Sequence, residues 1–395
     1  MAVRQLIRRS VRQAGATFFH YSGLRSAAAL VRRRWAGGRR VLILGYHRVV
    51  DDLRRELQRS IPAALISTGT FRRQLEAAAA AGYEFASLDR AVDVITGQRP
   101  AKKDLIVITF DDGYRDIYLH AYPILKLMGI PAILYLPATL IGTQQRFDHD
   151  RLYQALCVAR RREERIHNGL PPSAVSLLAP VLKGRKTVSQ TVDDFIAQQS
   201  SELLHQVTEE LCRSLGDELG NSSVGGEIMS WPEARRMSSD GFQFGAHTLR
   251  HVVLTWEGPT RIEREIVGSK ELIERELGTR VEHFSYCNGW YSEQIVRCLV
   301  RHGFRSAVTT EDSLNRIGGD PFALKRKILH ENFSIGPTGR YSRALTACHL
   351  DDVFGTFGID RPVIGRRRQR ISIPAAVETM RDRAEAENSH EIRGS

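Results

Sequence analysis

The stretch 107-VITFDDGYRD-116 decides how this chain is read. Val107, Ile108, Thr109 and Phe110 close the apolar, β-branched run 105-LIVITF-110, the pattern of a strand buried on both faces. Two carboxylates, Asp111 and Asp112, then stand side by side before Gly113. Adjacent acids repel each other and resist desolvation. Asp-Gly is also ordinary turn chemistry, and taken alone a turn accounts for the pair as well as a site does. The position argues for more, because catalytic groups gather at the C-terminal ends of strands in parallel β/α folds. A cation at that rim would hold one carboxylate and leave its neighbour to act as a base.

Working outward, similar apolar runs recur at 41-VLILGY-46, 131-PAILYL-136, 242-FQFGAH-247, 283-HFSYC-287 and 306-SAVTT-310. Helix-like stretches lie between them: 70-TFRRQLEAAAAAG-82, 117-IYLHAYPILKLMG-129, 260-TRIEREIVGSKELIERELG-278 and 292-SEQIVRCLVRHGF-304. The glycines that end them suit left-handed helix caps. Strands alternating with helices of this length specify a parallel sheet. The expected fold is α/β, a distorted (β/α) barrel of about seven parallel strands with a helical insertion. The insertion spans about residues 141–228, where Pro171-Pro172, Pro180 and Gly184 and the polar helical stretch 189–220 interrupt the rhythm. The expected organisation is a basic amphipathic segment over 1–40, the barrel over 41–345 and a C-terminal extension over 346–395, weakly ordered from about 361.

Composition bounds the function. Of 395 residues 42% are hydrophobic and 26% charged, as in a globular protein with a full core. Five scattered cysteines form no CxxC pair, so neither a disulfide framework nor a thiolate zinc site is indicated, and a reducing compartment fits. The net charge is +12, but residues 1–40 hold ten arginines and no acid, which leaves about +2 on the rest. A nucleic-acid-binding body is therefore not expected. In the basic segment Val3, Leu6, Ile7, Val11 and Ala14 recur at helical spacing opposite Arg4, Arg8, Arg9 and Arg12. These arginines interrupt the continuous apolar run a signal peptide needs, which points to the cytoplasmic side. Residues 1–35 then read either as a helix on an anionic membrane surface or as a helix packed on the domain.

The second chemical element is 242-FQFGAHTLRHVVL-254. His247 follows a strand-like run and His251 comes four residues later, a spacing that puts both imidazoles on one face of a helical turn. Alone, two such histidines are more often surface residues. Two imidazoles plus one carboxylate, all at strand ends, make an open hydrolytic metal site.

At this point the chain resembles the polysaccharide deacetylases, carbohydrate esterase family 4 or NodB-homology domain, over about residues 40–345. The resemblance rests on 109-TFDDGY-114 and 247-HTLRH-251, with 44-LGYHRV-49 and 231-WPEARRMSSDGFQFGAH-247 in support. It implies that Asp111 is the catalytic base and that Asp112, His247 and His251 hold a divalent metal, Zn2+ first. The third motif departs from the family pattern: in 284-FSYCNG-289 Cys287 stands where a proline is expected, and Ser285 near where an arginine would sit. The resemblance then makes the Asn288 backbone N–H an oxyanion donor, with Tyr286 and His47 lining the substrate site. Arg326, in 321-PFALKRKILHE-331, takes the base-orienting role, and His330 is the candidate general acid. Trp290 and Tyr291 are candidates for stacking on a sugar. The implied function is metal-dependent removal of N-acetyl groups from amino sugars of a polysaccharide or lipid-linked glycan. The competing readings are a non-catalytic glycan-binding scaffold, motivated by the altered third motif, and hydrolysis of another non-peptide C–N bond.

Overall fold

A computed structural model describes residues 2–22, 39–161, 172–219 and 228–356. In chain order its strands are β1 (Arg40–Tyr46), β2 (Arg48–Val50), β3 (Leu65–Ser67), β4 (Glu84–Phe85), β5 (Leu105–Phe110), β6 (Ala132–Leu136), β7 (Gln243–Ala246), β8 (His283–Ser285), β9 (Ser306–Val308), β10 (Asn315–Arg316) and β11 (Lys327–Ile328). The main sheet runs β10-β1-β5-β6-β7-β8-β9, with β4 beside β5 and β11 beside β1; β2 and β3 form a separate pair. Within the main sheet β10 is the antiparallel strand, and the other pairings are parallel. Val308 of β9 bridges Leu324, and β11 then pairs with β1 at Leu44↔Lys327. Residues 324–328 thus link the two edges, and the sheet curls into a distorted barrel.

Alternation along the strands separates two cores. Leu42, Leu44, Ile106, Ile108 and Phe110 pack outward with Phe71 and Leu75 of the helix Thr68–Ala80. Val41, Ile43, Val107, Ile133 and Tyr135 share a cluster with Val308 and Leu324. Residues from opposite sides of the sheet meet only in its interior, so this second cluster fills the barrel. Leu88, Val92 and Ile95 of the helix Leu88–Ile95 plug one end. Each fully buried Leu or Ile here contributes about 1.5–3 kcal/mol. A Cβ on Gly245 would lie 2.6 Å from the Tyr135 ring and 2.8 Å from the His283 carbonyl, so glycine lets the tyrosine enter the barrel.

Register aligns the strand ends. Tyr46 pairs with Phe110, Leu136 with Ala246, and Ala246 with Phe284. His47, Asp111 and His247 therefore leave the sheet at one rim.

Between β6 and β7 lie the helices Asp148–Arg161, Pro172–Leu182, Val188–Gln198 and Ser201–Leu215. They share their own apolar core, including Leu152, Leu156, Leu178, Val192 and Leu211, with Ile61 from the body. The expected single helical stretch 189–220 is two helices, because Ser200 breaks the first and caps the second by accepting from the Leu203 N–H.

Arg40 belongs to β1, where it is buried and ion-paired to Asp104 at 2.8 Å. The helix Arg343–Leu350 straddles the expected boundary at 345 and is buried throughout its length but for its first residue. The N-terminal helix Ala2–Tyr21 docks on it through Ala16, packed with Ala344, Leu345 and Cys348, and Arg12 donates to the Asn332 carbonyl. The small Ala16 side chain permits this close approach, whereas Val11 and Ala14 of the expected apolar stripe are exposed. Among the described residues no helix is long and apolar enough to cross a membrane. The tail from 357 lies outside the described residues.

Candidate active site

Backbone conformation separates the two adjacent acids. Asp112 (φ 72°) and Gly113 (φ 67°) are both left-handed, a conformation that costs a non-glycine residue about 1–2 kcal/mol. The turn sends Asp111 into the barrel and Asp112 across the rim. There is no room for a side chain at Gly113, where a Cβ would meet Ile141 and Leu136 within 2.9 Å.

Inside the barrel Asp111 meets Arg326, which has no exposed surface. The two guanidinium Nη groups donate to the two carboxylate oxygens at 2.7 Å each. Nε donates to the Thr309 carbonyl at 2.9 Å, and the Ser285 hydroxyl, which accepts from Nη2 at 3.0 Å, donates to Asp111 Oδ2 at 3.2 Å. Burial pushes the Asp111 carboxyl up, and Arg326 more than reverses this, holding it below the usual carboxylate range.

On the other side Asp112 Oδ1 receives two imidazoles. His251 Nε2 lies 3.1 Å away and His247 Nε2 3.5 Å away. Neither contact has hydrogen-bond geometry, so this buried oxygen carries no hydrogen bond. His247 Nδ1 lies 2.7 Å from the Ser285 carbonyl, to which it donates, and this fixes the tautomer that leaves Nε2 free. A carboxylate oxygen and two Nε2 atoms, converging and buried, form a donor set that fits a transition metal ion such as zinc.

The two histidines do not sit on a helical turn as expected. Residues 247–251 form a tight turn with Thr248 at φ 64° and His251 at φ 58°. Buried Glu265 accepts from the N–H groups of Leu249 and Arg250, and Thr248 Oγ1 accepts from the Val252 N–H. The two imidazoles are brought together by this pinned loop and not by a helical face.

The other expected residues divide. His47 stands at the end of β1 with its Nδ1 buried and unbonded, close enough to Asp111 and Asp112 to act on both electrostatically. Asn288 is left-handed at φ 58°, its carbonyl held by the Thr310 hydroxyl. Tyr286 is not brought to the rim: it is buried, its hydroxyl donates to the Phe322 carbonyl, and Tyr291 stacks on it at 4.9 Å. That buried packing corrects the expectation of a substrate-lining role for its side chain. His330 packs against Phe333, and burial with Arg12 and His47 nearby lowers its pKa to about 4, so it is neutral near pH 7.

Sequence reading missed Ser285 as a partner of Asp111, Glu265 as the anchor of the histidine loop, and His149. The insertion supplies His149, stacked on Phe147 and near His251. It also supplies Asp150, which accepts from Tyr114 at 2.6 Å. No local pattern marks these residues.

The polysaccharide deacetylase family profile matches residues 98–163 and 182–307. The match carries both aspartates, both histidines and residues 284–289, stops short of Arg326 and His330, and breaks inside the helical insertion. YxkH of Bacillus subtilis (strain 168), whose name places it among polysaccharide deacetylases, is 20% identical over 264 residues. That match covers 67% of this chain and 65% of YxkH, just under two thirds of its length. IcaB from Ammonifex degensii superposes with a TM-score of 0.51 at 18% identity, over 80% of this chain and 98% of that one. At that identity the likeness is one of fold.

Proposed function

The chain belongs to the polysaccharide deacetylase family, and on that premise we propose that it hydrolyses N-acetyl groups of an amino-sugar glycan with the aid of a divalent metal. The observation that carries this reading is the split of the acid pair, Asp111 onto Arg326 and Asp112 onto His247 and His251.

Asp112, His247 and His251 are the residues that would hold the cation, zinc being the first candidate. Such a cation supplies an acidified water and a polarised acetyl carbonyl. Asp111, kept ionised and fixed by the bidentate Arg326 contact, takes the proton from the attacking water. The backbone at Asn288, set by its left-handed conformation, donates to the developing oxyanion. His47 lies near both acids and helps to orient the acetamide. His330 is the candidate for protonating the departing amine, a role that requires substrate to raise its proton affinity from the buried, neutral state.

The test is acetate release from a panel of acetylated glycans, with and without chelator, alongside the metal content of each protein. Asp111→Asn is expected to abolish turnover and keep the metal, while His247→Ala loses both. Near-normal turnover by Asp111→Asn would refute the base assignment, and activity indifferent to chelator would refute the metal.

The N-terminal helix leaves Val11, Phe18 and Tyr21 exposed beside an arginine-rich segment. We assign this face to an anionic membrane surface. Co-sedimentation with anionic vesicles is expected to fall on deleting residues 1–35, and unchanged partitioning would rule the assignment out.

A further inference from the structure

The residue that departs from the family pattern, Cys287, does not simply fill the space of a proline. Its Sγ lies 3.9 Å from both ring nitrogens of His247. With one nitrogen each from His247 and His251 it forms a cluster whose ligand atoms all fall within 4.8 Å of one another. The residue is 2% exposed, and its sulfur also makes long contacts with the Thr248 hydroxyl at 3.9 Å and the His247 carbonyl at 3.8 Å. The neighbouring backbone cannot slip to move it. Asn288 is left-handed, and a Cβ on Gly289 would come within 2.4 Å of Thr310 atoms, so the loop is clamped against the strand end.

The donor types are those of a metal site. Metal–nitrogen bonds of about 2.0–2.1 Å and a metal–sulfur bond of about 2.3 Å at tetrahedral angles place sulfur and nitrogen roughly 3.6 Å apart. Because sulfur is equidistant from Nδ1 and Nε2, ligation requires a rotation of the Cys287 or His247 side chain that carries the sulfur round to the Nε2 side of the ring. Asp112 Oδ1, buried without a hydrogen bond, faces the same two imidazoles.

Resting on the metal reading above, we propose that Cys287 is a fourth protein ligand, giving an aspartate–two-histidine–thiolate site. Binding releases the thiol proton to solvent and forms a metal–sulfur bond, with no change of oxidation state. A thiolate in the set selects zinc-like, softer cations over magnesium or calcium. It also occupies the position where a water would bind, so substrate entry requires one protein ligand to yield or the coordination number to rise.

The experiment uses the full chain loaded with Co2+, whose spectrum reports sulfur directly. The wild-type protein is expected to bind one equivalent and show a thiolate-to-cobalt charge-transfer band in the near ultraviolet. Cys287→Ser and Cys287→Pro, the latter restoring the family residue, are expected to bind cobalt without that band. Loss of an outer-shell partner already costs 10–100-fold in affinity, so both variants should bind zinc at least about tenfold more weakly in chelator competition. Zinc X-ray absorption of the wild-type protein needs no variant and should show one sulfur neighbour at about 2.3 Å. Stoichiometric binding with no sulfur band and no sulfur shell overturns the thiolate ligand and leaves the three-ligand site standing. Failure of the wild-type protein to bind either metal overturns both.

Discussion

Replacing Arg326 with methionine probes the contact on which the base assignment depends. The substitution keeps an unbranched stem in the barrel and removes the charge. Asp111, 3% exposed, then loses both 2.7 Å contacts, and the Thr309 carbonyl and Ser285 hydroxyl each lose a donor. Removing one partner of a buried ion pair costs about 3–5 kcal/mol, because the remaining charge is left without compensation. Asp111→Asn in the same background removes that charge, so the double variant should cost less than the sum of the singles by about 1–3 kcal/mol.

The cost also has a pH signature. In the wild-type protein the Asp111 pKa lies below its unfolded value, so its contribution is present above the unfolded pKa and lost as pH falls through the folded one. Without Arg326 the largest contribution opposing burial is gone, His247 and His47 alone remain against it, and burial raises the pKa above the unfolded value. The native state of the variant then takes up a proton more readily than its unfolded chain, so its deficit is largest at high pH and shrinks as the medium becomes acid. The acid limb of its activity profile should move to higher pH for the same reason. Urea unfolding of the four proteins at pH 8 and pH 5 measures all of this. A deficit under about 1 kcal/mol, strict additivity, or a deficit independent of pH would each refute the reasoning.

Two further outcomes follow from other parts of the molecule. Gly289→Ala forces a left-handed alanine whose Cβ would lie 2.3 Å from Thr310 Oγ1, and it should destabilise well beyond the roughly 1–2 kcal/mol of the conformation alone. Gly241→Ala, also at positive φ but with nothing within 4 Å, should show only that smaller cost, and equal unfolding midpoints for the two would contradict the close-approach argument. His330 stays neutral in the fold down to about pH 4, while in the unfolded chain it takes a proton near 6.5. Its pKa is depressed, so stability falls as pH drops through that window, by up to roughly 3 kcal/mol. His330→Gln should flatten this loss between pH 7 and pH 4.5, and an unchanged slope would show that other groups carry it.

The barrel and half of the site were legible because their signals are local. A strand buried on both faces must be apolar along its whole length, so β1, β5 and β6 announce themselves residue by residue. The acid pair and the histidine pair are each close neighbours in the chain, and a parallel sheet puts all strand C-termini on one rim, so their meeting could be anticipated. What each acid faces was implied only by the family resemblance, not by any local pattern. Arg326 reaches Asp111 across 215 residues and Ser285 reaches it across 174, and no periodicity links such positions. The left-handed turn at Asp112, which parts the two carboxylates, is imposed by packing around Gly113 and runs against the residue's own preference. Cys287 looked like the loss of a proline, and only the folded loop brings its sulfur to the two imidazoles. The sequence by itself determined the strands and the two close residue pairs, and tertiary structure decided which partners each of the adjacent acids meets, because charge and burial act through space.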